Sequence, residues 1–183
     1  MRSVLSIMVY YTTLFLDRDG VINEERSNDY VKTWKEFVFV PGALEALAIL
    51  NKHFERIVIV TNQRGVGKGI MLRKALEDIH LQMLNRIEET GGRIDKIYTC
   101  IDTESSSPNR KPNSGMAWQA QNDFPDIVFE KSVLVGNSMS DMQFGKNLSM
   151  KTILVGEKYT REEKDLSLID FYYKDLLSFA RLL

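Results

Sequence analysis

Thiols and imidazoles are almost missing from this 183-residue chain: Cys100 is its single cysteine, and His53 and His80 are its two histidines. One cysteine closes no internal disulfide and builds no multi-thiolate metal site within the chain, and it fits a reducing compartment. An excess of either charge is lacking too, with 24 Lys and Arg against 25 Asp and Glu and a formal net charge of −1. That balance argues against a nucleic-acid groove or a polybasic membrane anchor. No apolar run approaches the ~20 residues of a membrane span. Met1–Tyr11 carries one Arg and a mildly apolar stretch without an A-x-A-like cleavage site. It reads as a lead-in to the first strand, or as an over-long start ahead of Met8. Repeats, low-complexity tracts and linkers are absent as well. What remains is a cytoplasmic chain of one domain, residues 1–183, 44% hydrophobic and long enough to bury a core.

Short β-branched runs alternate with longer stretches of helical period. Thr12–Leu16, Arg56–Val60, Ile94–Cys100, Ser132–Val135 and Thr152–Val155 read as strands, apolar enough for a parallel sheet covered on both faces. Ala43–Asn51 and Leu72–Glu89 read as helices; in the second, Leu76, Ile79, Met83, Leu84 and Ile87 recur at spacings of three and four. Met116–Asn122, Ser140–Asn147 and Tyr172–Leu183 are further helix candidates. This β-α-β rhythm predicts an α/β fold, a Rossmann-like doubly wound parallel sheet of about five strands. In such sheets function gathers at the carboxyl ends of the strands.

Four strand ends carry unusual residues. Asp17-Arg18-Asp19-Gly20 sets two acids two residues apart. Such a pair suits a hard cation or a carboxylate nucleophile, and equally a strand-ending turn or a glycosyltransferase-type metal site. The stretch from Thr61 to Gly69 (TNQRGVGKG) is glycine-rich but is neither a P-loop, which needs Gly at 62 and Ser or Thr at 69, nor a dinucleotide fingerprint, which needs Gly at 70. Thr61 and Asn62 remain as a hydroxyl and an amide suited to phosphate oxygens. Arg110-Lys111-Pro112 presents two cations on a polar loop, where Pro112 restrains Lys111 to extended geometry. Gly136-Asn137-Ser138-Met139-Ser140-Asp141 places an amide and an acid where a strand turns into a helix. Each has a bland reading as turn, cap or solvated loop. In order along one sheet they supply a nucleophile, an acid/base, phosphate clamps and a cation cage.

FLDRDGVIN, VTNQRGVGKG, RKPNSGM and VGNSMSDM resemble the four motifs of the haloacid dehalogenase (HAD) phosphohydrolases. The likeness spans Thr12–Val155 and favours the branch that acts on D-glycero-D-manno-heptose 1,7-bisphosphate or on histidinol phosphate. It implies Asp17 as nucleophile and Asp19 as the acid that protonates the leaving oxygen and then activates water. It implies Thr61 and Lys111 on the phosphoryl group, with Asn62 and Arg110 on the substrate. It also implies Mg2+ held by Asp17, the Asp19 carbonyl and Asn137, with Asp141 in support. No large cap domain is expected, so the loops Asn23–Tyr30 and Ser105–Arg110 would select the substrate.

Two departures matter. The branch usually carries a zinc-binding Cys/His loop before RKP, where this chain has only Cys100, so no zinc is expected. Position 137 is Asn where the motif usually has Asp. The expected activity is a magnesium-dependent phosphomonoesterase working through an aspartyl-phosphate, most simply on a heptose bisphosphate. Histidinol phosphate is the alternative substrate, and a catalytically weakened phosphate-binding or regulatory protein is the alternative of another class. A nucleic-acid 3′-phosphatase is disfavoured by the charge balance. The expected partner is a small phosphorylated molecule, with the chain a monomer or weak homo-oligomer. Cys100 is expected to be structural, His80 a surface or core-edge residue, and Trp34–Phe39 a packing cluster at the sheet edge or a lead into Pro41. Because an amide ligates magnesium without contributing charge, Asn137→Asp should lower the Mg2+ concentration for half-maximal activity. An unchanged value in a metal titration would remove residue 137 from the ligand set.

Overall fold

The computed structural model of the chain describes residues 11–160 and 165–183, so the reading of Met1–Tyr11 lies almost wholly outside the described residues. The apolar runs pair as a six-stranded, all-parallel sheet: β1 (Thr13–Leu16), β2 (Arg56–Asn62), β3 (Lys96–Cys100), β4 (Ser132–Gly136), β5 (Lys151–Val155) and β6 (Phe171–Tyr173). Their order is β3-β2-β1-β4-β5-β6. The chain therefore reverses its direction of winding at β1, and the crevice above that central strand is where such folds bind ligands.

Side-chain alternation along the strands divides the core in two. Leu14, Leu16, Ile57, Ile59, Val133 and Val135 face one side. Helices α1 (Ala43–Leu50) and α3 (Arg73–Glu89) cover it with Leu47, Leu50, Leu76, Ile79 and Met83, and α6 (Leu176–Ala180) adds Phe179. Phe15, Val58, Val60 and Leu134 face the other side, under α4 (Gly115–Asp123) and α5 (Met139–Asn147). A four-residue helix, α2 (Arg64–Gly67), follows β2. The helical period assigned to α3 holds, although Leu84 is only half-buried beside Leu76, Ile79, Met83 and Ile87. Among the described residues the segments between the strands form helices and loops, and none forms a cap domain.

Two sequence expectations need correction. Trp34, Phe37 and Phe39 do form a ring cluster, with Phe37 5.0 Å from both neighbours, but the turn of 3-10 helix at Trp34–Glu36 packs on α3 rather than on the sheet edge. Tyr172–Leu183 is not one helix: it starts within β6 and becomes helical only at Leu176. Asp175 caps that helix by accepting from the Ser178 N–H at 2.7 Å.

Asp170, just ahead of β6, pins this added strand. Its carboxylate accepts from Lys146 Nζ at 2.6 Å, Lys151 Nζ at 3.0 Å, and the Thr152 N–H and Oγ1, each at 2.9 Å. Burial pushes this carboxyl up, but those four donors outweigh it and hold the pKa at about 2. The folded pKa is below the unfolded one, so the stabilisation is complete above about pH 4 and disappears as pH falls through about 2. Asp170→Asn should therefore lower stability by about 1–3 kcal/mol near neutrality. In urea unfolding followed across pH, the gap between the two proteins should close toward pH 2; a gap independent of pH would contradict this.

Candidate active site

The carboxyl ends of β1, β2 and β4 and the loop after β3 deliver their side chains to one place. The Asp17 N–H bonds the Val135 carbonyl at 2.9 Å, carrying the β1–β4 ladder one residue past β1 and fixing the Asp17 backbone. Lys111 arrives from the loop after β3. Its N–H donates to Asn62 Oδ1 at 3.1 Å and its carbonyl accepts from Asn62 Nδ2 at 3.2 Å, so the residue ending β2 grips the loop by its backbone. The Lys111 ammonium then reaches Asp17 Oδ1 at 2.8 Å, Asp141 Oδ1 at 2.7 Å and the Val60 carbonyl at 2.7 Å. All three charged side chains are buried. Asp141 is held from its other oxygen, Oδ2, by the Ser138 N–H at 3.0 Å and Oγ at 2.6 Å, a capping box that starts α5. Gly136 makes room for it, since a Cβ there would stand 2.3 Å from the Asp141 Cβ.

Asp19 sits in a different electrostatic setting. Arg18 Nη2 and Asn23 Nδ2 donate to its Oδ1 at 2.8 and 2.9 Å, and Gln63 Nε2 donates to its Oδ2 at 2.7 Å. The turn that bends Asn23 back is closed by the Arg18 carbonyl, which accepts from the N–H groups of Val21, Ile22 and Asn23. Arg18 is itself buried, lies 6.0 Å from the Phe37 ring centroid, and has Nη1 3.1 Å from His80 Nε2. A guanidinium only donates, so His80 accepts through Nε2 and carries its proton on Nδ1. Burial, reinforced by Arg18, pushes the His80 pKa down to about 4, which keeps the ring neutral in that role.

The two acids are pushed in opposite directions. Burial raises Asp17 to about 7, with the charges of Asp141 and Asp19 adding to the effect and Lys111 opposing it without prevailing. Asp19 is also raised by burial, but the Arg18 charge and the three hydrogen bonds more than reverse that and hold it below its ordinary value. The buried cluster thus sets two carboxylates, Asp17 and Asp141, against one ammonium. A cation on the Asp17 side fits this deficit. The oxygens available there, from Asp17 and the Asn137 amide, are hard donors of the kind magnesium uses with waters and phosphate oxygens. Among the described residues no three Cys, His, Asp or Glu side chains group as metal ligands. Cys100 is buried, its thiol pushed up by that burial, with Sγ 3.7 Å from Asp102 Oδ2.

A cavity of about 210 Å³ opens on Asp17, Asp19, Asn62, Lys111, Asn137 and Asp141. A second, of about 130 Å³, shares Asp19, Glu25 and Asn62 with it and runs on past Arg26 and Tyr30.

The family model described as "polynucleotide kinase 3 phosphatase" matches residues 12–179. A D-glycero-alpha-D-manno-heptose-1,7-bisphosphate 7-phosphatase of Mycobacterium tuberculosis is 38% identical over 74% of this chain and 72% of that protein. A D-glycero-beta-D-manno-heptose-1,7-bisphosphate 7-phosphatase of Pseudomonas putida is 32% identical over 92% of this chain and 97% of that one. Among solved structures, the D,D-heptose 1,7-bisphosphate phosphatase of B. bronchiseptica, complexed with magnesium and phosphate, superposes with a TM-score of 0.82. It is 28% identical and covers 93% of this chain and 96% of that one. The chain belongs to the HAD phosphatases.

Of the residues picked out in sequence, this phosphatase brings Asp17, Asp19, Asn62, Lys111, Asn137 and Asp141 to one cavity. Thr61 lies outside that lining: it is fully buried, and its hydroxyl accepts from Gln63 Nε2 at 2.8 Å. Arg110 is placed outside both cavities, with Nη1 3.4 Å from the Asp102 carbonyl. Of the two loops expected to select substrate, Asn23–Tyr30 lines the cavities and Ser105–Arg110 does not; Ser106, Ser107 and Pro108 border a separate, open cavity of about 500 Å³. Sequence reasoning assigned no role to Arg18, Gln63 or Lys158, and named Asn23 and Glu25 only as part of a substrate-selecting loop. Gln63 carried a usable signal, since it lies two residues beyond Thr61 on the same side of the extended chain. His80 carried none, because its link to Asp19 crosses 62 residues of sequence to Arg18. Gln63→Leu should cut kcat about 10- to 100-fold by releasing one side of Asp19, while lowering stability by only about 1–2 kcal/mol. Phosphate release and urea unfolding read both quantities; full activity would show that Arg18 and Asn23 position Asp19 unaided.

Proposed function

We propose that this phosphatase removes one phosphate from a sugar bisphosphate, D-glycero-D-manno-heptose 1,7-bisphosphate being the substrate favoured, through a phosphorylated Asp17. The observation that carries the chemistry is the Lys111 ammonium fixed against Asp17 Oδ1 at the floor of the cavity. It leaves Asp17 Oδ2 as the oxygen to attack phosphorus, and places a positive charge where the phosphoryl oxygens come to rest. As Oδ2 bonds to phosphorus, the bond from phosphorus to the sugar oxygen breaks and its electron pair goes to that oxygen. Asp19 gives that oxygen a proton. Asp19, now ionised, then takes a proton from water, which attacks the phosphorus of the acyl phosphate and returns Asp17 as a carboxylate with release of inorganic phosphate. The three donors around Asp19 suit its second duty as base; its first duty needs the incoming phosphate dianion, whose charge raises a neighbouring carboxyl.

Mg2+ held by Asp17, the Asp19 carbonyl and Asn137, with Asp141 behind, would supply charge neutralisation for the transferring phosphoryl group. Magnesium and phosphate in the B. bronchiseptica relative support this reading. The relatives' names support the heptose bisphosphate and differ between alpha and beta anomers, so either anomer is a candidate. The 3′-phosphatase suggested by the family description is less well supported. The cavity rim mixes Glu25 and Asp29 with Arg26 and Lys158, whereas a nucleic-acid track is basic throughout. The near-neutral chain and its one buried, unpaired cysteine suit cytoplasmic work on a small molecule, as a monomer or weak homo-oligomer.

A phosphate-release screen with Mg2+ over both heptose bisphosphate anomers, other sugar phosphates, histidinol phosphate and a 3′-phosphorylated oligonucleotide tests the proposal. The expected result is highest kcat/KM on a heptose bisphosphate, no turnover by Asp17→Asn, and a loss of about 10²–10⁴-fold in Asp19→Asn. A preference for the oligonucleotide or histidinol phosphate would overturn the substrate, and an active Asp17→Asn the mechanism.

A further inference from the structure

Glu25 belongs to the loop after β1 that lines both cavities, and its carboxylate has so far been given no role of its own. Its Oε2 accepts from Asn137 Nδ2 at 2.8 Å, and its two oxygens accept from Lys158 Nζ at 2.7 and 2.8 Å. It therefore lies across the same cavity as Asp17 and Asp141, joined to the one residue that departs from the motif. An amide has two unlike ends: the NH2 repels a cation and the carbonyl oxygen binds one. Here the NH2 end is fixed twice. Glu25 accepts its hydrogen bond, and Gly20, at φ +81°, lets it pack where a Cβ would stand 1.8 Å from Nδ2. Asn137 Oδ1 is then the end left for a metal.

We infer that Glu25 makes Asn137 a working magnesium ligand: it orients the amide with Oδ1 toward the cation and supplies, one bond further out, the negative charge that an Asp at 137 would carry. Lys158 holds the Glu25 carboxylate in place. The side chains of that pair are 40% and 39% exposed, so water screens both charges, and Lys158 offsets part of the charge Glu25 presents to the amide. The same geometry revises the gain expected of Asn137→Asp from charge alone: an Asp at 137 would face the Glu25 carboxylate where a donor now stands, so tighter Mg2+ binding is expected only when Glu25→Gln accompanies it. Glu25 is thus a positioning residue for the metal. The inference rests on the magnesium site proposed above, and the test separates the two.

The test is calorimetric titration of Mg2+ into the whole chain, without substrate, in the native protein, Glu25→Ala, Glu25→Gln, Asn137→Asp and the double variant Asn137→Asp/Glu25→Gln. Losing a partner that orients a metal ligand costs about 10- to 100-fold in affinity. Glu25→Ala should fall in that range, and Glu25→Gln, which keeps an acceptor for the amide but loses the charge, should fall short of it. With Asp at 137, the Glu25→Gln change should improve affinity. Equal affinity in the native protein and Glu25→Ala overturns the inference. So does a Glu25→Gln loss of the same size in both backgrounds, which would mark a general effect on the loop. If the native chain takes up no Mg2+, the metal site itself fails, and this inference with it. Because Glu25 is partly exposed, the variants should melt within a few degrees of the native protein; thermal unfolding without Mg2+ checks that the affinities compare folded chains.

Discussion

The Lys111 ammonium, lodged between the carboxylates of Asp17 and Asp141, is the interaction on which the site depends. Three buried charges in contact are costly to desolvate, and such a group persists only if each member is positioned closely and further hydrogen-bonded. The fold meets both demands. Asp17 is fixed by the continued β1–β4 ladder, Asp141 by the capping box of α5, and Lys111 by Asn62 at its backbone and the Val60 carbonyl at its tip. Those supports come from the carboxyl ends of β2 and β4, the two neighbours of β1, so the cluster is a product of the parallel sheet and of the reversal of winding at β1.

From this cluster outward the chemistry divides. Asp17 is raised by burial beside a second carboxylate, whereas Asp19 is lowered by Arg18, Asn23 and Gln63. Two acids separated by one residue acquire different properties because one looks into the sheet and the other into a ring of donors, a common route to distinct roles for like groups. The His80–Arg18 contact extends the ring to the middle of α3, which ties the site to the helix covering the first core. Asn137 with Glu25 forms a third sector, at the cavity mouth, where the sequence leaves the usual motif and a carboxylate from another loop stands next to the change.

Much of this was legible in the amino-acid order because it is local or periodic. The strands announced themselves as β-branched runs, α3 by its spacing of apolar residues, and the residues at strand ends by types unsuited to a core. Six of the eight residues singled out meet in one cavity, since parallel topology carries strand ends to the same edge. What the order did not show shares a cause. Arg110 and Thr61 were assigned by motif, and three-dimensional placement adds that one reaches the Asp102 carbonyl and the other is buried with its hydroxyl bonded to Gln63. Strand β6 is three residues long and runs directly into an apolar helix, leaving too few residues for a period of two to register against one of 3.6. Contacts such as Arg18–His80 and Glu25–Asn137 join residues 62 and 112 positions apart, and no local pattern encodes them.

The side chains around Lys111 carry one cation too few, and the magnesium ion proposed for this site would complete them. The direct measurement is the titration of the Asp17 carboxyl by carbon-13 NMR, assigned through Asp17→Asn, with and without saturating Mg2+. The account predicts a titration well above the ordinary carboxylate range without the metal, returning to that range or below when Mg2+ is present. A carboxyl that titrates normally in both conditions, or one that Mg2+ does not move, would contradict it.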